Sequence, residues 1–303
     1  MKYRELGNTG IKVSEVSFGT WAIGGSWGNT NDDEALKGLD KAIGEGVNFF
    51  DTADVYGDGH AEQLLAKATK GKEDDIYIAT KFCRAGDIHD LETYSETRVR
   101  AYCEASLKRL ERERIDLYQI HCPPLSVLKD GRVFEVLDKL QAEGKIRHYG
   151  VSVETVEEGL FCLGVPGVKA LQVILNLFRQ KPLTQLLPKA QESGVGILVR
   201  LPLASGLLTG KFKPDTTFAA DDHRSFNANG EQFNVGETFC GLAVRHRRRA
   251  GGAAELDRRR PRRHGPRGDA LDSRSAGSDL RDPRLPQRAP GRGQPRRDRR
   301  AFV

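Results

Sequence analysis

The sequence predicts an α/β protein, a TIM-type (β/α)8 barrel with an N-terminal β-hairpin. Three observations carry that expectation. From residue 11 onward, short β-branched or aromatic runs alternate with longer stretches of helical period, as in repeated βα units around a parallel sheet. Six such units and a seventh strand fit before residue 201, too many for half of a doubly wound dinucleotide domain, and no G-x-G-x-x-G follows the first strand. The 303 residues exceed the roughly 250 such a barrel needs, so an ordinary continuation would supply strand eight and the last helices after residue 240.

The elements follow in order. Tyr3 to Val13, with the turn signal Asn8-Thr9-Gly10, reads as a hairpin closing the bottom of the sheet. Strands are expected at Val16 to Gly19, Val47 to Asp51, Ile76 to Lys81, Ile115 to His121, Ile146 to Ser152, Leu171 to Leu175 and Gly196 to Leu201. Between them lie helices at Asp32 to Glu45, Ala61 to Thr69, Tyr94 to Leu110, Gly131 to Glu143, Val156 to Leu163 and Thr184 to Glu192. Asn31 can cap the first of these with Glu34 three residues on, and Gly46 and Gly144 stand where helices should stop.

Charge divides the chain. Residues 241–303 hold 19 Arg, no Lys and 7 acidic residues, a net of +12, which leaves −6 for residues 1–240. The domain reading is therefore a barrel over 1–239 and an Arg-, Pro- and Gly-rich tail over 240–303. Five cysteines without a C-x-x-C pair argue against a disulfide framework or a Cys-based zinc site. The amino terminus lacks an apolar signal region and no run approaches the roughly 18 apolar residues of a membrane span. A cytoplasmic protein without a membrane partner is expected.

Active sites of such barrels form at the carboxyl ends of the strands. Strand two ends in Asp51-Thr52-Ala53-Asp54-Val55-Tyr56-Gly57, strand three in Lys81 and strand four in His121, so Asp51, Tyr56, Lys81 and His121 should converge on one face. These types suit carbonyl reduction. A phenol can protonate the carbonyl oxygen as hydride arrives, but its ordinary pKa near 10 makes it slow to cycle. Lys81 would favour the phenolate and lower the Tyr56 pKa, Asp51 would keep the lysine charged, and His121 would hydrogen-bond the substrate oxygen. Taken singly, a strand-end Lys or Asp is most often solvated or ion-paired and a lone His structural; the combination on successive strands carries the inference.

The stretch Gly46 to Gly57, with Tyr77 to Lys81, Ile115 to His121 and Gly144 to Ser152, resembles the aldo-keto reductase superfamily, and the resemblance runs from Tyr3 to about Phe239. It implies NADPH (the NADP couple) as hydride donor, a small-molecule carbonyl substrate, Tyr56 as general acid, and Asp51, Lys81 and His121 completing a catalytic tetrad. It also places Thr20 and Trp21 near the cofactor, Ser152 and Gln172 on the nicotinamide carboxamide, and the run from Pro202 through Leu203, Ala204 and Ser205 to Lys211 along the pyrophosphate. Two positions depart from the family's pattern. Val153 stands where Asn usually follows the serine, and Arg200 stands where an aromatic usually stacks on the nicotinamide, a planar cation that stacks differently.

Gly24 to Gly28 lacks the lysine and helix start of a phosphate loop and reads as a turn presenting Trp27 to the substrate pocket. Cys122 beside His121 reads as a buried thiol, since no base is indicated beside it. No H-E-x-x-H or His and Asp cluster indicates a metal.

The tail carries no sustained apolar period and cannot bury enough surface to order itself. Runs such as Arg258 to Arg260 suggest a nucleic-acid arm, but that reading leaves the barrel without its eighth strand. A frameshift explains more: residues 269–284 can be encoded so that the frame one base on reads TRWILDQPAVTCVIPG, which resembles the family's last helix and eighth strand. The competing functions are thus an NADPH-dependent reductase, an inactive frameshifted one, or a non-catalytic nucleotide-binding module of the same fold.

Overall fold

The computed structural model describes residues 1–24, 31–213 and 215–242. β1 (Tyr3–Glu5) and β2 (Lys12–Ser14) form the expected antiparallel hairpin. Seven parallel strands follow in sequential order: β3 (Phe18–Gly19), β4 (Phe49–Asp51), β5 (Tyr77–Phe82), β6 (Ile115–His121), β7 (Ile146–Ser152), β8 (Val168–Ile174) and β9 (Gly196–Arg200). The crossovers hold α1 (Asp32–Gly44), α2 (His60–Thr69), α3 (Glu96–Leu110), α4 (Leu125–Asp130), α5 (Arg132–Ala142), α6 (Val156–Cys162), α7 (Lys181–Gln185) and α8 (Leu187–Ser193). This is the parallel part of a TIM-type barrel. The expected eighth strand and last helices, the frameshift region and Trp27 fall outside the described residues.

Helix ends obey local chemistry. The Asn31 side chain accepts from the amides of Asp33 (2.9 Å) and Glu34 (3.3 Å), and Thr155 with Glu158 forms a full capping box on α6. Where boundaries differ from expectation, the reason is visible. α3 begins at Glu96 rather than Tyr94 because Ser95 caps it and Leu91–Tyr94 form a separate 3-10 turn. The expected helix from Thr184 to Glu192 is two pieces, α7 and α8, because Pro188 has no amide proton and sits in the first turn of α8. β4 starts two residues late because the Asn48 side chain is turned to the hairpin, accepting from Ser14 N (2.7 Å) and donating to the Lys12 carbonyl (3.0 Å).

Two apolar layers position everything else. Leu64, Val99, Leu107, Val133, Leu137 and Ala190 of the helices cover the outer face through Phe50, Ile78, Tyr118, Ile120 and Leu171. On the inner face, Phe49, Ala79, Leu117, Ala170 and Leu198 cluster with Leu6, Ile11 and Val13 of the hairpin, which plugs the bottom. Gly7, at φ +54°, brings the hairpin turn against the backbone of Gly194 and Gly196, where a Cβ would collide. Beyond β9, the described residues of 201–213 and 215–242 fold as short turns and α9 (His223–Phe226), with Ala204, Leu207, Phe239 and Cys240 buried in a small separate cluster.

Candidate active site

Because strand side chains alternate with period two, the residue two positions beyond each apolar inner residue faces the same interior, one step nearer the carboxyl mouth. Phe49 is thus followed by Asp51, Ala79 by Lys81, Leu117 by Gln119 and then His121, Ala170 by Gln172, and Leu198 by Arg200. The bottom layer of the barrel interior is apolar and the layer above it, nearer the carboxyl mouth, is polar. Tyr56 arrives from a turn rather than a strand. Gly57 makes that turn at φ +62°, and a Cβ there would collide with the Gly24 carbonyl oxygen.

The four expected residues meet. Lys81 Nζ is fully buried and donates to Asp51 Oδ2 (2.7 Å), to the Thr52 carbonyl (2.7 Å) and, at 3.5 Å, to the Tyr56 hydroxyl. Asp51 Oδ1 accepts from Gln172 Nε2 (2.7 Å) and Gln119 Nε2 (3.4 Å). The His121 ring stands edge-on to that of Tyr56 with centroids 6.0 Å apart. All four lie in or beside a cavity of about 1140 Å³ at the carboxyl ends of the strands, lined also by Trp21, Arg84, Gln172, Arg200, Phe233 and Glu237.

Electrostatics sharpen the roles. Burial alone would lower Lys81, but Asp51 and Tyr56 outweigh it and hold the ammonium above its ordinary range. Burial raises the Tyr56 phenol; Lys81 pulls it down, as expected, but burial together with Asp51 and Glu237 wins, so the net direction is upward rather than the downward one expected. His121 is held well below the ordinary range by burial first and then by Arg84, Lys81 and Arg200, so its imidazole is neutral near pH 7. Its Nδ1 is buried without a protein partner.

The other expected contacts are placed as follows. Thr20 is buried, donates its amide to the Asp51 carbonyl (2.9 Å) and has a hydroxyl without a protein partner. Trp21 lies against Tyr56 (6.2 Å between ring centroids), His223 (4.5 Å) and Phe233 (6.0 Å). Ser152 Oγ is 3.5 Å from both Gln172 Oε1 and Cys122 Sγ. Val153 is buried and sends its amide to the Gln172 carbonyl (2.9 Å). Pro202, Leu203 and Lys211 are exposed, whereas Ala204 and Ser205 are buried, Ser205 Oγ donating to the Glu237 carbonyl (3.0 Å). Leu201, Ala204 and Ser205 all take positive φ, a strained run of the kind found at ligand clamps. A buried hydroxyl with open valence at Thr20 and a Ser152–Gln172 pair beside the tetrad fit a carboxamide-bearing nicotinamide group.

Sequence reasoning missed one cluster. Arg84, Glu154 and Glu237 meet beside Cys122 and Arg200. Arg84, three residues past Lys81, could have been found by extending the search beyond the strand end. Glu237 lies in a segment without period and gave no signal. Cys122, Glu154 and Glu237 could offer ligand atoms to a metal ion, yet two guanidinium groups already occupy that region. Burial raises the Cys122 thiol despite both arginines, in keeping with an inert buried sulfur.

Residues 15–254 match the Aldo/keto reductase family. Aldo-keto reductase YhdN of Bacillus subtilis (strain 168) is 36% identical over 230 residues, covering 74% of this chain and 69% of that protein. A probable voltage-gated potassium channel subunit beta of Arabidopsis thaliana is 31% identical over 241 residues, covering 74% and 72%. Among solved structures, the holo form of aldo-keto reductase AKR11C1 from Bacillus halodurans superposes with a TM-score of 0.62 at 32% identity, covering 69% of this chain and 68% of that one. Among the described residues no helix is long and apolar enough to cross a membrane.

Proposed function

The chain belongs to the aldo/keto reductase family, whose members act on small carbonyl compounds with a nicotinamide cofactor, and we propose that its site reduces aldehydes or ketones with NADPH, Tyr56 acting as general acid. The single observation that carries this reading is the buried Lys81 ammonium bridging Asp51 and the Tyr56 hydroxyl at the floor of the cavity. NADPH supplies the hydride when bound; Thr20, Ser152 and Gln172 would hold its nicotinamide end. The chain's own residues do the rest. His121, neutral, orients the carbonyl oxygen by a hydrogen bond. Tyr56, protonated at neutral pH, gives its proton to that oxygen as the carbonyl carbon becomes tetrahedral. The phenolate left behind faces Lys81, which stabilises it until water returns the proton, and Asp51 keeps the ammonium in place.

Aldehyde-dependent loss of NADPH absorbance, measured for the parent chain and for Tyr56→Phe, tests the assignment. Loss of a general acid costs roughly 100-fold in kcat; equal turnover would remove Tyr56 from the role. A second reading, a nucleotide-binding regulatory module, is favoured by the likeness to the channel subunit. NADPH binding without turnover of any aldehyde would support it.

A further inference from the structure

Beside the tetrad lies a group of charges that hydride and proton transfer do not use. Arg200 ends β9 and Arg84 follows β5 by two residues, so both guanidinium groups stand at the carboxyl end of the sheet. Arg84 Nη2 donates to Glu154 Oε1 (3.2 Å) and Glu237 Oε1 (3.1 Å), and Arg200 Nη1 lies 3.1 Å from the same Glu237 oxygen. Both arginine side chains are 16% exposed and Glu237 is 6% exposed. The Nε of each arginine is buried without a protein acceptor, so the donor forks are only partly filled.

The charges balance only because of Glu237. Apart from Glu237, the carboxylate beside the two arginines is Glu154, two residues past β7 and paired with Arg84, while burial keeps Cys122 a neutral thiol. Without Glu237 this buried place would hold a surplus positive charge, which is costly unless an anion meets it. Glu237 comes from a 3-10 turn, Val235–Glu237, in the irregular segment beyond the sheet. The Ser205 hydroxyl, the Asn234 contact to Glu154 (2.6 Å) and the packing of Phe233 on Trp21 hold that segment to the barrel. Its Oε1 alone makes the contacts with Arg84 and Arg200, where two guanidinium groups could engage both oxygens of a carboxylate.

We propose that Arg84 and Arg200 form a carboxylate-recognition pair within the cavity, that Glu237 fills it in the ligand-free protein, and that the preferred carbonyl substrates carry a carboxylate remote from the carbonyl. The pair lines the same cavity as Tyr56 and His121. This deepens the reductase reading and rests on it for the reacting end of the substrate. Arg200 would meet the anion with its edge, which leaves its face available for stacking.

Binding to the full chain without cofactor tests the pair apart from turnover. Trp21 touches Phe233, so release of the segment carrying Glu237 changes its fluorescence. The probes are ω-hydroxy acids of three to six carbons, the matching neutral alcohols, and inorganic pyrophosphate. Saturable binding of at least one hydroxy acid is expected, with no response to its alcohol at equal concentration. Glu237→Gln should tighten the acid roughly tenfold and Arg84→Lys weaken it roughly tenfold, the scale of one charge-assisted hydrogen bond. Equal response to acid and alcohol, no binding of any acid, or affinity unmoved by both substitutions overturns the proposal. Tighter binding of pyrophosphate than of every acid also overturns it, by assigning the pair to cofactor phosphates. If a variant fails to fold by circular dichroism, the comparison among probes on the parent chain decides. A chain that selects hydroxy acids but reduces no aldehyde keeps the pair and loses the reductase reading; one that reduces aldehydes but binds acid and alcohol alike does the reverse.

Discussion

Lys81 Nζ stands 2.7 Å from Asp51 Oδ2 at the floor of the cavity, an ion pair whose ammonium has no exposure to solvent. Replacing Lys81 by Met removes the group that pulls the Tyr56 pKa down while burial, which raises it, remains. The phenolate then costs more to form. In the reverse direction, alcohol oxidation requires that phenolate as base, so its rate rises with pH through the Tyr56 pKa. Lys81→Met should move that limb to higher pH and lower kcat about 100-fold. A pH profile of alcohol oxidation for both proteins checks this; an unmoved limb would separate Lys81 from the proton donor.

Asp54 is 7% exposed, and burial first, with the Glu62 charge second, raises its carboxyl to about 7 against the pull of Arg109, the Val55 amide and Lys81. The folded protein therefore holds a proton here that the unfolded chain, titrating near 3.8, releases. With a raised acid, stability is greatest below the unfolded value and falls as pH rises from about 4 to about 7. Asp54→Asn should match the parent at pH 4 and exceed it at pH 8, with an upper bound of about 4 kcal/mol. Urea unfolding at the two pH values reads the difference directly.

Gly57→Ala isolates the turn that delivers Tyr56. The added methyl meets the Gly24 carbonyl oxygen and the residue must hold φ +62°. The positive φ alone costs about 1 kcal/mol and the collision with a backbone oxygen adds to it, so the Tm should fall, while displacement of the hydroxyl lowers kcat about 10-fold or more. Unchanged kcat with a lowered Tm would show that the turn serves stability alone.

Much of this site was legible because such barrels build their sites at the carboxyl ends of the strands. Asp51, Lys81 and His121 could be set on one face from their places at the ends of successive predicted strands, and Tyr56 followed from the short run linking it to Asp51. What could not be read has physical reasons. Pro188 interrupts a stretch whose apolar period is otherwise continuous, so two helices read as one. The direction of the Tyr56 shift depends on how much protein surrounds the phenol, which no spacing encodes. Glu237 reaches Arg84 across 153 residues from a segment with neither helical nor strand period, and only tertiary structure brings them together.

Residues 240–303 depart in composition from the rest of the chain. If that stretch is a frameshift product, it replaces the segment that in the family would carry the eighth strand and the loop binding the NADPH 2′-phosphate. Each charge-assisted contact to such a phosphate is worth about 1.5 to 3 kcal/mol, so losing two or more weakens NADPH by at least about 100-fold. A version with the reading frame restored after codon 240 should therefore bind NADPH far more tightly than the unrestored chain, and the gain should be larger for NADPH than for NADH, which lacks the 2′-phosphate. Fluorescence titration of both proteins with both nucleotides makes the comparison, and sequencing the encoding DNA around codons 236 to 242 gives an independent check. Micromolar or tighter NADPH binding by the unrestored chain, unimproved by the restored frame, would show that the basic stretch is a genuine part of the protein and that the cofactor needs nothing beyond it.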